Sequence, residues 1–593
     1  MSDRPLSHRV LPLVLPALAL LVYGRHIGDG FLSDDFLYAT WATEGVGELL
    51  RRVTIDSEPQ MIRPLPALAW LLPDDATVQH LLSILLHGLT AMLVAVGARR
   101  LGAARADGLL LGGLFVLFPL FTEPVIWLSS AADLWATAFA LGALVLALPS
   151  EDGRRRPVAA VCLFALALLC KVSVLLLPLI VLVLAPRRVG ITLGALGTTA
   201  ALYLGTRWWL FSGLGGYRDA SGQTLLAHLD PLLFVRNLFA QIPFRVLVPV
   251  KPPVEPLWWL MIAGVTVATG VVIVVTLELW RRPKPLIAAL IVFVLAALPV
   301  APIVGVSPDH ENSRLIYFPI AVLLVALGAA WRPHKMARAS VAILGVMWLG
   351  LTLFNAQSWR VASLEVRHSL ELLAKAQRDL GSGATVFMAG HDTYRGAYTW
   401  RNGFGHAAAL QGLRDDVGWL HGSAAMVAQQ ERVGNDVVEW QLATTASGGY
   451  RLDDYTGCQR ALRQATPLRS VELAGGSASP VQQRGRIHVD ALDSQDTQAF
   501  LLVPPPGDSP RIVEGWFYWR GPDDASFSRQ RARQFVLGDE PIVVRLSSPV
   551  PEQLDLRIET TDPNDLNRLA RLDVLPHIDA CAAGSVPSIE ILQ

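Results

Sequence analysis

Two carboxylates stand side by side in the stretch GDGFLSDDFLYAT, residues 28 to 40, just after the first long apolar run of the chain. Asp34 and Asp35 are flanked there by apolar and aromatic residues, which places charge beside a membrane surface. A carboxylate in such a position can accept a proton from a nucleophile, bind a cation or cap a helix. The stretch by itself leaves these roles open.

Further charged and titratable side chains interrupt or end the apolar runs that follow. Charges at membrane depth are costly and therefore mark candidate functional sites. The set comprises the acids Glu123 and Asp133, the cations Arg63, Lys171, Arg207 and Arg314, and the histidines His80 and His87, which stand two helical turns apart. Acids and cations at one membrane face suit a phosphorylated lipid, because the cations bind its phosphate while a carboxylate accepts a proton.

Plainer explanations exist for the same residues. The aspartate pair or Glu123 can cap a helix, and the two histidines are more often packing residues than metal ligands. Arg207 can extend its guanidinium to lipid headgroups. The sequence contains no HExxH, CxxC or P-loop pattern and no basic stripe, which argues against zinc hydrolysis, ATP-driven transport and nucleic-acid binding.

Residues 1 to 356 carry these side chains and are predicted to form a helical polytopic membrane domain, since a span needs about 20 apolar residues. The stretch 231–250 is only semi-apolar and is predicted to lie along the interface or to re-enter the membrane. We count eleven candidate spans, at about 9–25, 77–98, 107–127, 131–149, 157–171, 172–186, 189–211, 256–280, 285–305, 315–331 and 339–356.

The distribution of basic residues predicts the orientation of these spans. Clusters of Arg and Lys occur in every second connection, beginning with Arg99, Arg100 and Arg105, and such connections face the cytoplasm. The N-terminus is then cytoplasmic, and an odd number of spans puts the C-terminal part outside, in a bacterial inner membrane. The acidic pair lies on the same outer side.

The polar part of the chain is predicted to form a helical connection, 357–383, and a β-rich α+β extracytoplasmic domain, 384–593. A helix over 358–380 is followed by the buried strand GATVFMAG, and alternating segments such as RIHVDAL and LDLRIETT predict a β-sandwich or a similar sheet. Cys458 and Cys581 can pair if this domain faces an oxidising compartment. Trp400, Trp516, Tyr518 and Trp519 are candidate surface aromatics for contact with an acceptor.

The order of the membrane motifs resembles that of type C (GT-C) polytopic glycosyltransferases, in particular the protein O-mannosyltransferases, the transmembrane-and-TPR O-mannosyltransferase-like proteins and their bacterial relatives. The resemblance covers roughly residues 9 to 365. The matching features are the acidic pair, RPL at Arg63 to Leu65, the two histidines, FPLFTEPV…AADL with Glu123 and Asp133, Lys171, and RLIYFP from Arg314 to Pro319, which contains Tyr317. Phe118, Phe121, Ala131 and Val172 replace two histidines, an arginine and a glutamate of the family pattern.

The resemblance implies a hexosyltransferase that moves a sugar from a polyprenyl-phosphate-linked donor to a protein hydroxyl or an envelope glycan or lipid, with inversion at the anomeric carbon. One aspartate of the pair would be the base, and we favour Asp34, while the other would orient it or help to bind a cation. Glu123, the third catalytic candidate, would support the acceptor or a metal. The cations would bind the donor phosphate, while His80, His87, Asp133 and Tyr317 would support the site. The motifs identify no certain cofactor. If a divalent metal, Mg²⁺ or Mn²⁺, takes part, Asp35 and Glu123 are its candidate ligands.

Two other classes of function stay open at this point. A lipid or glycan transporter needs no base, and its charges would lie near the bilayer midplane. A non-catalytic glycan-binding membrane protein would work through its β-rich domain. The clustering of acids at the outer ends of the spans favours the enzyme.

Overall fold

A computed structural model of the chain divides into two compact units. The membrane unit comprises Met1–Phe31, Tyr38–Val361 and Arg395–Ala397, and the second unit comprises Leu32–Leu37, Ala362–Tyr394 and Tyr398–Gln593. The residues that the structure describes are 13–57, 60–72, 76–149, 156–185, 190–216, 231–249, 251, 270, 277–301, 306–307, 309–331, 334–389, 393–400, 402–421, 437–444, 450–472, 486–493, 497–503, 513–520, 532–537, 542–545, 553–560, 569, 571–576 and 588–590.

The membrane unit is helical. Its longer α-helices are Val14–Tyr23, Ala76–Arg100, Arg105–Val116, Ala131–Ala147, Pro157–Leu168, Leu177–Leu184, Gly190–Phe211, Pro283–Ala297, Tyr317–Ala330 and the first part of Lys335–Ala376. Shorter helices are Asp35–Thr43, which begins in the second unit, Val46–Arg52, Pro64–Leu68 and Thr122–Ile126. The stretch predicted to lie along the interface is helical, as Pro231–Arg236, a π-helical turn Asn237–Gln241 and Ile242–Leu247.

Four described helices are long and apolar enough to cross a membrane, and a bent pair, Arg105–Val116 with Pro119–Ile126 at 48°, makes a fifth. The chain is that of a multi-pass membrane protein. The count of eleven spans stays a prediction, because several apolar helices are only 10–17 residues long and most of the predicted span 256–280 lies outside the described residues. The predicted break at Lys171 is confirmed, since separate helices end at Leu168 and begin at Leu177.

Small residues allow helices of the membrane unit to approach closely. A Cβ on Gly88 would stand 2.5 Å from the backbone of Pro16, and one on Gly328 would stand 2.6 Å from the backbone of Ala98. Without a hydrophobic drive between helices in lipid, such contact of backbones is a main source of their association. Ala76–Arg100 therefore packs tightly against both Val14–Tyr23 and Tyr317–Ala330.

Each unit contains part of the long helix Lys335–Ala376, which together with the helical turn Gln377–Asp379 confirms the predicted helix over 358–380. The strands of a five-stranded sheet are β1 (Thr385–Ala389), β4 (Gly418–His421), β5 (Val437–Thr444), β6 (Tyr450–Asp454) and β15 (Ser588–Glu590), and the strands between β1 and β4 in the chain are the two-residue strands β2 (Thr393–Tyr394) and β3 (Ala397–Tyr398). The order within the five-stranded sheet is β15-β6-β5-β1-β4. The central strand β1 pairs in parallel with β4 and β5 and is buried, as its apolar sequence predicts.

The remaining long strands form two four-stranded sheets, β11-β10-β13-β8 and β12-β9-β14-β7. These strands are β7 (Arg469–Glu472), β8 (Arg486–Asp493), β9 (Thr497–Val503), β10 (Val513–Arg520), β11 (Ala532–Leu537), β12 (Ile542–Arg545), β13 (Gln553–Thr560) and β14 (Arg571–Pro576). Phe500 of β9 and Phe517 of β10 are both buried, with ring centroids 5.3 Å apart, so the two sheets pack face to face as a sandwich. The predicted β-rich C-terminal region is confirmed.

Candidate functional site

The acidic pair lies at the start of the helix Asp35–Thr43, and its two members have different surroundings. The backbone of Ser33 has a φ of 49°, which turns the chain sharply into this helix. Asp35 is 1% exposed, and its Oδ2 accepts a hydrogen bond of 3.0 Å from the backbone N–H of Leu32. Its carboxylate therefore closes the turn and faces away from solvent, as a capping residue does.

Asp34 is the accessible member of the pair. It is partly exposed, and its Oδ1 accepts a hydrogen bond of 2.6 Å from the Asn402 side-chain amide. The Ser33 hydroxyl lies 3.5 Å from the same oxygen. Within the described part of the chain, Oδ2 of Asp34 receives no hydrogen bond. One oxygen of Asp34 is thus anchored, and the other is open to a further hydrogen bond.

Thr399, Trp400 and Asn402 contact the loop that carries the pair, which belongs to the same unit. The backbone N–H of Ser33 donates to the Thr399 carbonyl at 3.0 Å, and the N–H of Asn402 donates to the Ser33 hydroxyl at 3.2 Å. Trp400 stacks on Phe36 with centroids 5.9 Å apart. The interpretation of Trp400 as a surface aromatic is wrong: it is 3% exposed because this stacking buries it. The side chains of Trp516, Tyr518 and Trp519 lie outside the described set.

Glu123 and Arg314 form a buried ion pair in the membrane unit. Oε2 of Glu123 accepts hydrogen bonds from the Ser313 hydroxyl at 3.0 Å and from the Arg314 backbone N–H at 3.1 Å, while Oε1 accepts from the Arg314 guanidinium. Arg314 also lies over the ring of Trp127, 4.9 Å from its centroid. Both oxygens of Glu123 are thus engaged, and this acid orients Arg314.

Lys171 and Asp133 form a second buried pair. The ammonium of Lys171 donates to both oxygens of Asp133, at 2.7 and 2.6 Å. Lys171 lies within electrostatic range of Arg63 and Arg314, so three cations and two acids share this region. Arg63 is partly exposed and contacts the sulfur of Met61. Among the described residues Arg63 has no acidic partner, which makes it the uncompensated cation of the group.

Arg207 is placed differently from the other predicted cations. It is buried and donates to the carbonyls of Leu214 at 2.7 Å and Gln60 at 3.1 Å, with its guanidinium over the rings of Tyr203 and Phe211. These contacts join the end of Gly190–Phe211 to the loop near residue 60. Arg207 therefore supports the backbone around the site.

The two predicted histidines of Ala76–Arg100 are both buried. His87 Nδ1 lies 2.8 Å from the Tyr317 hydroxyl, inside an aromatic cluster that includes Phe115 and Phe121. His80 lies within electrostatic range of a buried His26–Asp29 pair, whose atoms are 2.6 Å apart. His87 and Tyr317 pack the helices together, as the plainer explanation for the histidines expects.

Among the described residues, the two candidate ligands for a divalent metal, Asp35 and Glu123, are engaged by other protein groups. Both oxygens of Glu123 are taken by Arg314 and Ser313, Asp35 caps its turn, and Phe121 occupies a family histidine position within the aromatic cluster. Within the described ranges, no group of three or more His, Cys, Asp or Glu side chains could hold a metal ion.

Sequence reasoning missed two polar residues. Asn402, in WRNGFG, has the ordinary signature of a turn, and nothing local marks its long-range partner. Lys251 is buried and donates to the Ser358 hydroxyl at 2.7 Å and to the Arg395 carbonyl at 2.8 Å. Burial lowers the pKa of its ammonium to about 7, an effect that the charge of Asp309 opposes. Lys251 is the single charged residue in the apolar stretch VLVPVKPPV, and this isolation could have marked it as a candidate.

No protein-family model matches the chain, and no curated protein matches its sequence. Among solved structures, a mutant of the arabinofuranosyltransferase AftD from Mycobacteria is similar at 13% identity, with a TM-score of 0.43, over 97% of this chain and 61% of that one. A second class of that mutant gives a TM-score of 0.39. The chain thus spans less than two thirds of the length of AftD.

The archaeal oligosaccharyltransferase AglB from Archaeoglobus fulgidus, in complex with an inhibitory peptide and a dolichol-phosphate, is similar at 10% identity, with a TM-score of 0.38, over 95% of this chain and 96% of that one. Similarity of this size assigns no activity, so the functional argument rests on the side chains described above.

Proposed function

We propose that the protein is a membrane glycosyltransferase that moves a sugar from a polyprenyl-phosphate-linked donor to an acceptor hydroxyl outside the cytoplasm, with inversion. The observation that carries the proposal is the contrast within the acidic pair. Asp35 is buried in its turn, while Asp34 is partly exposed with one oxygen anchored and the other open. A transporter needs no carboxylate held in this way.

Asp34 acts as the general base in this mechanism. The acceptor oxygen attacks the anomeric carbon and forms the new glycosidic bond, and the hydroxyl proton passes to Oδ2 of Asp34. The bond between the anomeric carbon and the phosphate oxygen breaks at the same time, and its electron pair leaves with the polyprenyl phosphate. Attack from the face opposite the leaving group inverts the anomeric configuration.

The leaving phosphate needs positive charge, and Arg63 is the first candidate to supply it. Lys171 and Arg314 each have an acidic partner, so much of their charge is offset. Arg63 has none among the described residues, and a guanidinium can bind two phosphate oxygens at once. Lys171 and Arg314 add to the positive potential around the leaving phosphate. The base and the cations are assigned separately, each from the geometry of its own unit.

The acceptor side is proposed to be extracytoplasmic, with the N-terminus in the cytoplasm. Basic residues in alternate connections support this orientation. Cys458 is disulfide-bonded, which is typical of a domain in an oxidising compartment. Its predicted partner, Cys581, lies outside the described residues. The proposed location is a bacterial inner membrane, and the proposed acceptor is a protein hydroxyl or an envelope glycan or lipid.

The test is turnover by purified protein supplied with polyprenyl-phosphate sugars and an envelope extract as acceptor. Asp34→Asn keeps the size of the side chain and removes the base, so transfer should fall by about 10²–10⁴-fold. Asp56→Asn is the matched control, because Asp56 is an exposed aspartate whose partner among the described residues is Arg51. If Asp34→Asn turns over as fast as Asp56→Asn, Asp34 is not the base.

A further inference from the structure

We propose that Asn402 is a positioning residue, which fixes the Asp34 carboxylate so that Oδ2 points to the acceptor hydroxyl. The inference rests on the proposed function, since it concerns the same base. Nothing in the motifs of the membrane domain indicates it, because Asn402 lies 368 residues further along the chain. It gives part of the second unit a role in catalysis.

The contact between the Asn402 and Asp34 side chains is short and involves only one oxygen of the carboxylate. The Asn402 amide donates to Oδ1 of Asp34 at 2.6 Å, at the short end of the range for such bonds. The terminal torsion of an aspartate is broad, so the carboxylate would rotate freely without an anchor. One strong donor on Oδ1 removes that freedom while it leaves the lone pairs of Oδ2 open to a proton.

Asn402 itself is fixed by the backbone. Its N–H donates to the Ser33 hydroxyl at 3.2 Å, and Ser33 in turn donates its N–H to the Thr399 carbonyl at 3.0 Å. The next residue, Gly403, has a φ of 85°, and a Cβ there would stand 2.4 Å from the Ser33 carbonyl oxygen. These contacts do not use the Asn402 side chain, so substitutions of that side chain should leave the fold in place.

Two substitutions separate a hydrogen-bond donor from a space-filling group. Asn402→Ala removes the donor, and kcat should fall about 10-fold with an unchanged KM for the donor lipid, since misplacement of a catalytic group slows the chemical step. Asn402→Asp keeps the shape but puts a carboxylate against Asp34, so kcat should fall further. A space-filling role predicts the opposite order. Gln411→Ala is the matched control, because Gln411 is an exposed amide on the same unit.

Hydrogen exchange of the loop provides a readout that does not depend on activity. Exchange over residues 31–37 should stay unchanged in both Asn402→Ala and Gln411→Ala, because backbone contacts hold the loop, so that a fall in kcat reports on the carboxylate alone. Raised exchange in Asn402→Ala, which would mean that the loop itself has moved, or an unaltered kcat would overturn the inference. If Asp34→Asn abolishes turnover while both Asn402 variants match the control, Asp34 is supported as the base and the positioning role of Asn402 is refuted. If Asp34→Asn stays active, both the assignment of Asp34 as the base and the positioning role of Asn402 are refuted.

Discussion

Replacement of Lys171 by methionine would remove one member of a buried ion pair and leave the other, Asp133, without a partner. The side chains of Lys171 and Asp133 are 9% and 7% exposed, and the ammonium contacts both carboxylate oxygens. To leave a buried charge unpaired costs about 3–5 kcal/mol, whereas replacement of a whole buried pair by apolar residues is often neutral. Lys171→Met should therefore lower the midpoint of thermal unfolding by several degrees, and Lys171→Met combined with Asp133→Leu should restore it.

The same double variant separates a structural role from a phosphate-binding role. If Lys171 contacts the donor phosphate, the double variant is stable but binds donor lipid about 10–100-fold more weakly, the equivalent of one charged hydrogen bond of about 1.5–3 kcal/mol. If Lys171 only balances Asp133, the double variant recovers both stability and donor binding. We expect the second result, because the ammonium of Lys171 already contacts both oxygens of Asp133, which leaves Arg63 as the first candidate for the phosphate.

The assay is tryptophan fluorescence during heating in one detergent, together with titration of each variant with polyprenyl-phosphate sugar. Lys335→Met is the matched control, since Lys335 is an exposed lysine on another helix. An unfolding midpoint of Lys171→Met equal to that of Lys335→Met would refute the buried pair. A double variant as unstable as Lys171→Met would refute the argument from an unpaired charge.

Two more predictions concern the loop and the topology. Gly403→Ala should lower both the midpoint of thermal unfolding and turnover, because its Cβ would stand only 2.4 Å from the Ser33 carbonyl oxygen. Gly405→Ala is the control and should be tolerated, because its Cβ would have its nearest neighbour at an ordinary 3.4 Å. Equal behaviour of the two variants would contradict the close contact at Gly403. A reporter that is active only in the cytoplasm, fused after Gln593, should be silent, because the distribution of basic residues predicts that the C-terminal part lies outside. An active reporter would contradict the predicted orientation.

The helices and strands were largely predictable, because their signals are local. Apolar runs predicted the helices around Ala76–Arg100 and Tyr317–Ala330, and alternation predicted β8, β10 and β13. Parallel pairing of β1 with β4 and β5 was not predicted, because periodicity within a strand says nothing about its partners. The number of spans was less predictable than the helices themselves, because an apolar run does not show whether a helix crosses the membrane or ends within it.

The candidate site was predictable in its residue types but not in their partners. The membrane context marked Glu123, Lys171 and Arg314 as unusual charges, and all three proved to be buried or nearly so. Which acid neutralises which cation depends on contacts between helices distant in sequence, such as Lys171 with Asp133, 38 residues apart. Asn402 escaped notice for the same reason, since its contact with Asp34 spans most of the chain.

The pattern of partners narrows the functional assignment more than the list of charges does. A buried charge needs an ion-pair or hydrogen-bond partner, so most of the charges within the apolar runs of a membrane sequence are already paired within the folded protein. Glu123 with Arg314, and Lys171 with Asp133, satisfy each other. Among the described residues of the predicted set, Asp34 keeps an open oxygen and Arg63 lacks an acidic partner. Mutagenesis of Asp34 in the second unit and of Arg63 in the membrane unit, each measured separately, will therefore test the proposed transferase most directly.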